Sequence, residues 1–315
     1  MKRNQIRTLS ILAAIALLLG IALFALRYEK PPAVLPKLAD CQPEEILNLS
    51  YTNLQGTFSF QKSGDGWVLS SDDAFPVNAE TIGKMLEVLC SLQPQSVVEN
   101  PDPEELGLLS PQCTIYYTHP SGSGMLTVGS MNAVTDQLYV LSGDTVYLTD
   151  TSLLQAFGGS LLDTAQQIAI PKPDNHQRVE VENFLGTLTL SCLASDTGHP
   201  DGTWCTLQED GTWVEADQTA AYNFYFLTWD MHWKSTAGYI TDSAQLADYG
   251  LDNPQVRYTL TYGGETFEVL FGTNLPDNTT YVLCPGSNLV YTMDTLLAQW
   301  LAQAKRTDVI PSTLS

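Results

Sequence analysis

Basic residues are scarce in this sequence: 14 Lys and Arg stand against 35 Asp and Glu in 315 residues, for a formal net charge of -21. Four of the 14 (Lys2, Arg3, Arg7 and Arg27) lie at or before the end of the first apolar run, which leaves ten against 35, about -25, on the rest of the chain. A surface this negative repels polyphosphate backbones, whose binding needs clustered Lys and Arg to displace counterions, so nucleic-acid binding is excluded as an expectation. Histidine is equally sparse. His119, His176, His199 and His232 sit in unlike contexts and none forms HExxH, so no metal site is expected. No CxxC pair occurs among Cys41, Cys90, Cys113, Cys192, Cys205 and Cys284. Their even number leaves disulfides open in an exported protein, with Cys192 to Cys205 favoured by proximity along the chain. Ser121-Gly122-Ser123-Gly124 lacks both the GxSxG frame and a Gly-Lys-Ser/Thr ending, and reads as a hairpin tip. No catalytic residue and no cofactor site can be named from these patterns, and the expected class is non-enzymatic.

What the chain does have begins with its N-terminus. Thr8 to Leu26 is a run of 19 residues without a charge, which as a helix covers roughly 28 Å, close to the hydrocarbon thickness of a bilayer. Lys2, Arg3 and Arg7 precede it and place the N-terminus in the cytoplasm and the body outside. A cleaved signal peptide would need a small-x-small site after the run, whereas Gly20-Ile21-Ala22 lies inside it, so an uncleaved anchor is expected. The organisation expected is a cytoplasmic stub at 1–8, a transmembrane helix at 9–27 and a proline-stiffened spacer at 28–43. A first α+β repeat at 44–166, a linker at 167–178, a second repeat at 179–304 and a tail at 305–315 complete it.

The repeat is visible in the residues themselves. Gly107-Leu108-Leu109-Ser110-Pro111-Gln112 matches Gly250-Leu251-Asp252-Asn253-Pro254-Gln255 at an offset of 143, and at that offset Gly129 falls on Gly272, Leu153-Leu154 on Leu296-Leu297 and Phe157 on Trp300. Tyr139-Val140-Leu141 aligns with Tyr281-Val282-Leu283, and Tyr147 with Tyr291, after single-residue slips. Upstream, Asn53 to Phe60 resembles Asn183 to Leu190 and Trp67-Val68 resembles Trp213-Val214, at a smaller offset that calls for 13 extra residues in the second copy. The polar stretch Ser195 to Asp201 is the expected insertion.

Each copy reads as strands, then a helix, then a Gly-Leu-x-x-Pro turn and further strands. Alternating segments such as Thr57 to Gln61 and Val256 to Thr261 mark the strands, and Asp65-Gly66, Asp201-Gly202 and Asp210-Gly211 suit tight turns. Asn78 is placed to cap a helix carrying Ile82, Met85, Leu86 and Leu89 on one stripe. The corresponding helix of the second copy is expected over Thr219 to Lys234. On it Tyr222, Phe226, Trp229 and Trp233 fall at i, i+4, i+7 and i+11 on one face, a stripe suited to the protein's own core, to a partner helix or to sugar rings. Gly129 and Gly272, at strand ends, suggest turns or bulges. The fold class is thus α+β: an N-terminal transmembrane helix, then two tandem repeats of an antiparallel sheet with helical cover.

The anchor, the Gly-Leu-x-x-Pro turn, the strand ending in Gly, the Tyr-Val strand and the Val146-Tyr147 and Val290-Tyr291 strands, all but the anchor present twice, resemble the bacterial domain-of-unknown-function family 4340. That resemblance runs from about Glu44 to Leu301. It implies an envelope protein without established enzymatic activity and without catalytic residues to carry over. Some members resemble or neighbour auxiliary components of gliding-motility-type ABC transport systems. The expected role is an accessory subunit of such a complex, anchored in the cell membrane with its body extracytoplasmic. The alternative is a surface module for wall glycan or a small ligand.

Overall fold

The computed structural model describes residues 35–174, 176–193 and 202–311; the expected membrane span at 9–27 and the expected insertion Ser195 to Asp201 lie outside them. Among the described residues no helix is long and apolar enough to cross a membrane. These residues group into two compact units, one reaching Ile46 and resuming over Met85–Phe157, the other taking Leu47–Lys84 and continuing from Gly158.

Two large antiparallel sheets with few helices make up the fold. The first sheet holds β1 (Asn48–Asn53), β2 (Gly56–Ser63), β3 (Gly66–Leu69), β4 (Ser96–Val97), β5 (Cys113–His119), β6 (Gly122–Asn132), β7 (Gln137–Ser142) and β8 (Thr145–Thr149). Their order is β3-β2-β1-β5-β6-β7-β8-β4. Helix α1 (Ala79–Ser91) intervenes between β3 and β4, and α2 (Ser152–Phe157) follows β8. Asn78 caps α1 as expected, its Oδ1 accepting from Thr81 N at 3.1 Å, and Ile82, Met85, Leu86 and Leu89 are all buried.

The second sheet holds β9 (His176–Asn183), β10 (Gly186–Leu193), β11 (Thr203–Leu207), β12 (Trp213–Glu215), β13 (Ser235–Tyr239), β14 (Val256–Tyr262), β15 (Glu265–Asn274), β16 (Thr279–Leu283) and β17 (Leu289–Asp294). It is ordered β12-β11-β10-β9-β14-β15-β16-β17-β13. Between β12 and β13 lie α3 (Gln218–Tyr225) and α4 (Leu227–Asp230), and α5 (Thr295–Gln303) follows β17. Alternation drives the strands: Val179 and Val181 of β9 and Val256, Tyr258 and Leu260 of β14 are buried at every second position.

The two orders coincide strand for strand once β12 is set aside, so the second copy carries one additional edge strand. That corrects the pairing of Trp67 with Trp213: Trp67 lies on β3 beside β2, and the strand in that place in the second copy is β11, which bears the buried Trp204. A second correction concerns the closing helices. Asp150 Oδ1 accepts from Ser152 N at 2.9 Å and Asp294 Oδ1 from Leu296 N at 3.0 Å, so Asp150 and Asp294 are equivalent and the offset there is 144. Phe157 then matches Leu301, both fully buried, while Trp300 turns outward. Burial decides the register where sequence likeness is loose.

The landmarks that define the repeat form one device, built twice. Leu108 N bonds Pro103 O at 2.9 Å and Gly107 N bonds Glu104 O at 3.1 Å; Leu251 N bonds Leu246 O at 2.9 Å and Gly250 N bonds Ala247 O at 3.1 Å. Each Gly-Leu is therefore the end of a helical turn closed by a left-handed glycine, φ 70° at Gly107 and 66° at Gly250. Opposite each turn the sheet is bulged, between Val128 and Met131 on β6 and between Phe271 and Asn274 on β15. A Cβ on Gly129 would lie 2.3 Å from Leu106 O, and one on Gly272 would lie 2.2 Å from Tyr249 O. Gln112 N reaches Val128 O at 2.9 Å and Gln255 N reaches Phe271 O at 2.8 Å, while both glutamine side chains bond the carbonyl of the bulge glycine. The expected tight turn at Asp65-Gly66 is shifted by one: Gly64 carries the positive φ of 58°.

Candidate functional site

The aromatic stretch of the second repeat does not run as one helix to Lys234. α3 starts under Asp217, whose Oδ1 accepts from Ala220 N at 2.9 Å, and breaks at Phe226; α4 ends at Asp230, and Met231 is already extended. Tyr, Asn, Phe, Thr, Trp and Asp are all mediocre helix formers, so propensity offers little against a tertiary contact that pulls the chain out. That contact is Trp233. Its indole N–H donates to Ile168 O at 2.6 Å and its ring stacks on Tyr291 at 4.5 Å with planes 15° apart. The Tyr291 hydroxyl in turn accepts from Ile168 N at 3.0 Å. One linker residue is thus held at both its backbone polar groups.

Neighbouring aromatics hold the same linker. Tyr225 OH donates to Asp174 O at 3.0 Å, and Lys172 Nζ donates to Trp229 O at 3.2 Å while lying 5.9 Å from the centre of the Trp229 ring. The linker at 167–178, expected to be short and stiff from its prolines, owes its course to these contacts as well.

Of the four residues expected to share a face, three do. Tyr222 and Phe226 stack at 5.8 Å with planes 16° apart, and Trp229 meets Phe226 edge-on at 6.4 Å. Trp233 is separated from them and half-buried. The three rings are 46, 46 and 43 % exposed. Sequence periodicity did not reveal the other wall, which comes from α5: Leu296 is 73 % and Trp300 41 % exposed. Phe224, buried on α3, packs on Trp300 at 4.5 Å and so joins α3 to α5. Tyr258 OH on β14 reaches Phe224 O at 3.2 Å from beneath.

The result is a groove of about 540 Å³ lined by Tyr222, Phe226, Leu296 and Trp300 and rimmed by Asp230 and Asp294. The Leu296 amide at the start of α5, and then Lys234 at 3.3 Å, hold the Asp294 carboxyl below its ordinary range, so the rim is anionic at neutral pH. His232 also borders the groove, its Nδ1 3.1 Å from Asp230 O. The arrangement offers apolar contact, ring faces and negative charge; it presents no nucleophile beside a base.

Elsewhere the polar candidates of the sequence scatter. Among the described residues no group of three or more His, Cys, Asp and Glu could hold a metal ion. Of the expected hairpin tip Ser121-Gly122-Ser123-Gly124 only Ser121 lies in the turn joining β5 and β6; Gly122, Ser123 and Gly124 already pair with β5 as the start of β6. Cys192 and Cys205 are on adjacent strands, but Cys205 is paired with Ser191 and Cys192 with Trp204, which sends the two thiols to opposite faces of the sheet. That disulfide is ruled out by register. The two sulfurs that do meet are those of Cys41 and Cys90, 3.6 Å apart.

The class these features define is a tandem-repeat, two-sheet α+β protein with an aromatic surface groove on its second copy. A model of the family described as domain of unknown function (DUF4340) matches residues 67–224 and 234–314, and the chain belongs to that family. The match falls in two parts, broken within the second copy at residues 225–233. No curated protein and no solved structure matches.

Proposed function

We propose that the chain is a non-enzymatic, membrane-anchored extracytoplasmic subunit that binds another component of a bacterial envelope complex, such as an ABC transporter, through the groove between α3 and α5. The observation that carries this reading is the exposure of Tyr222, Phe226, Leu296 and Trp300 together in one concave strip. Aromatic rings clustered in a concavity are the usual anchors of protein recognition, and a partner segment with apolar side chains and basic flanks would fit the strip and its Asp230 and Asp294 rim. The apolar run Thr8 to Leu26 supports the anchor, and the family resemblance supports the transporter setting. Extraction of the full-length protein in mild detergent should bring down a permease and an ATPase. Phe226→Ala combined with Leu296→Ala should weaken that capture at least about tenfold while leaving the fold intact. Co-purification that yields neither partner overturns the proposal.

A second reading rests on the parallel stacking of Tyr222 and Phe226 beside two carboxylates, an arrangement that also suits a sugar ring and its hydroxyls. Sedimentation of the protein with isolated wall material, abolished by Tyr222→Ala, is its test.

A further inference from the structure

Cys41 lies near the end of the spacer, two residues ahead of the 3-10 turn Pro43–Glu45, and Cys90 lies in the last turn of α1. Leu38 N donates to Leu92 O at 3.2 Å, which lays the incoming chain along the end of that helix. Both side chains are buried, and their sulfurs are 3.6 Å apart. We propose that Cys41 and Cys90 are the site of a disulfide that fastens the segment emerging from the membrane anchor to helix α1.

A disulfide needs its sulfurs about 2.05 Å apart, so closure asks for a shift of about 1.5 Å, within reach of small torsions of two side chains. Cys113, in contrast, directs its thiol at Phe157 O at 3.8 Å, and Cys192 and Cys205 face opposite ways. In the reaction the two S–H bonds break and one S–S bond forms; two protons leave, and two electrons pass to an oxidised disulfide of the envelope, small-molecule or enzymic, which becomes a dithiol. Burial and the neighbouring Cys41 sulfur push the Cys90 thiol up to about 12. Neither sulfur is then an effective thiolate in the folded protein, so the bond forms during folding and, once enclosed, resists reduction. The bridge spans 49 residues, β1 to β3 and α1 among them, and a loop of that size restrains the unfolded chain strongly. Tension on the anchor would reach α1 through a covalent path rather than by peeling β1 from its sheet. That an oxidant meets the pair in the cell rests on the extracytoplasmic placement proposed above; the pairing itself does not.

The test is thiol mapping of the full-length protein in detergent, extracted without reductant, alkylated after denaturation and digested. The expected result is a Cys41–Cys90 cross-linked peptide, and a melting temperature that falls by roughly 5–10 °C on reduction. Cys41→Ser and Cys90→Ser should each make the melting temperature insensitive to reductant; mapping of the unmodified protein stands even where a variant folds poorly. If the pair is isolated reduced but closes on refolding with oxidised glutathione, the pairing holds and the exported placement falls. If both thiols stay alkylatable after oxidative refolding, the proposal is overturned.

Discussion

Gly129 and Gly272 occupy positions where the missing side chain is the function. A methyl group at either would press on a main-chain carbonyl that belongs to a helix-capping turn and cannot swing away. Gly129→Ala and Gly272→Ala should each cost more than about 2 kcal/mol, read as a lower midpoint in urea with an unchanged slope. Gly83, in the middle of α1 with open space around it, is the control, and its alanine variant should be neutral or stabilising. Among the aromatics the structure separates two roles that periodicity had merged. Trp233→Ala removes a stacked, hydrogen-bonded ring and should destabilise by about 2–3 kcal/mol, whereas Trp229→Ala, at a half-exposed ring, should leave the melting temperature within a few degrees. The strand glycines could be seen in the sequence. The carbonyls that demand them could not, because that contact depends on how a separate turn is folded back.

At the scale of elements, the strands were the most legible part, since burial on alternate residues writes a period of two into β5 and β14. α1 was equally plain, with its cap and its buried stripe. Asn78→Ala should lower stability by about 1 kcal/mol through loss of the Thr81 bond. The end of α4 at Asp230 was not foreseen, because it goes with the contact that Trp233 makes with the linker. Nor was the added strand β12, whose Trp213-Val214 imitates Trp67-Val68 by composition alone. Turn and cap carboxylates give the molecule an acid limit. The Leu296 amide and then Lys234 hold Asp294 below its ordinary value of 3.8, the Thr279 hydroxyl does the same for Asp277 and the Thr212 hydroxyl for Asp210. Carboxyls depressed in the folded state stabilise it above their unfolded pKa and cease to do so as pH falls through the folded one. These three therefore leave the melting temperature flat from neutrality to about pH 4 and contribute to its fall below that, measurable by calorimetry across pH 2 to 7.

For the whole molecule, duplication followed by divergence on one copy explains why the groove was only half legible: Tyr222, Phe226 and Trp229 advertise themselves by spacing, but Leu296 and Trp300 join them only through the packing of α5 on α3. The charge of -21 makes such a groove selective, since acidic partners are repelled before contact and basic ones are drawn in. Capture of a partner through the groove should accordingly weaken as salt is raised from about 50 to 500 mM. The linker carries a different lesson. Ile168 gives its N–H to Tyr291 and its C=O to Trp233, so its amide should exchange with deuterium slowly, and Trp233→Ala should speed that exchange at least about tenfold. The same grip decides where the chain can be cut. A second-repeat fragment begun at residue 179 would leave an indole and a phenol ring bare along an adhesive seam, and would tend to aggregate for a reason that has nothing to do with its own sheet. Expression boundaries for that half belong ahead of Gln166, where the strap comes along with the rings it covers.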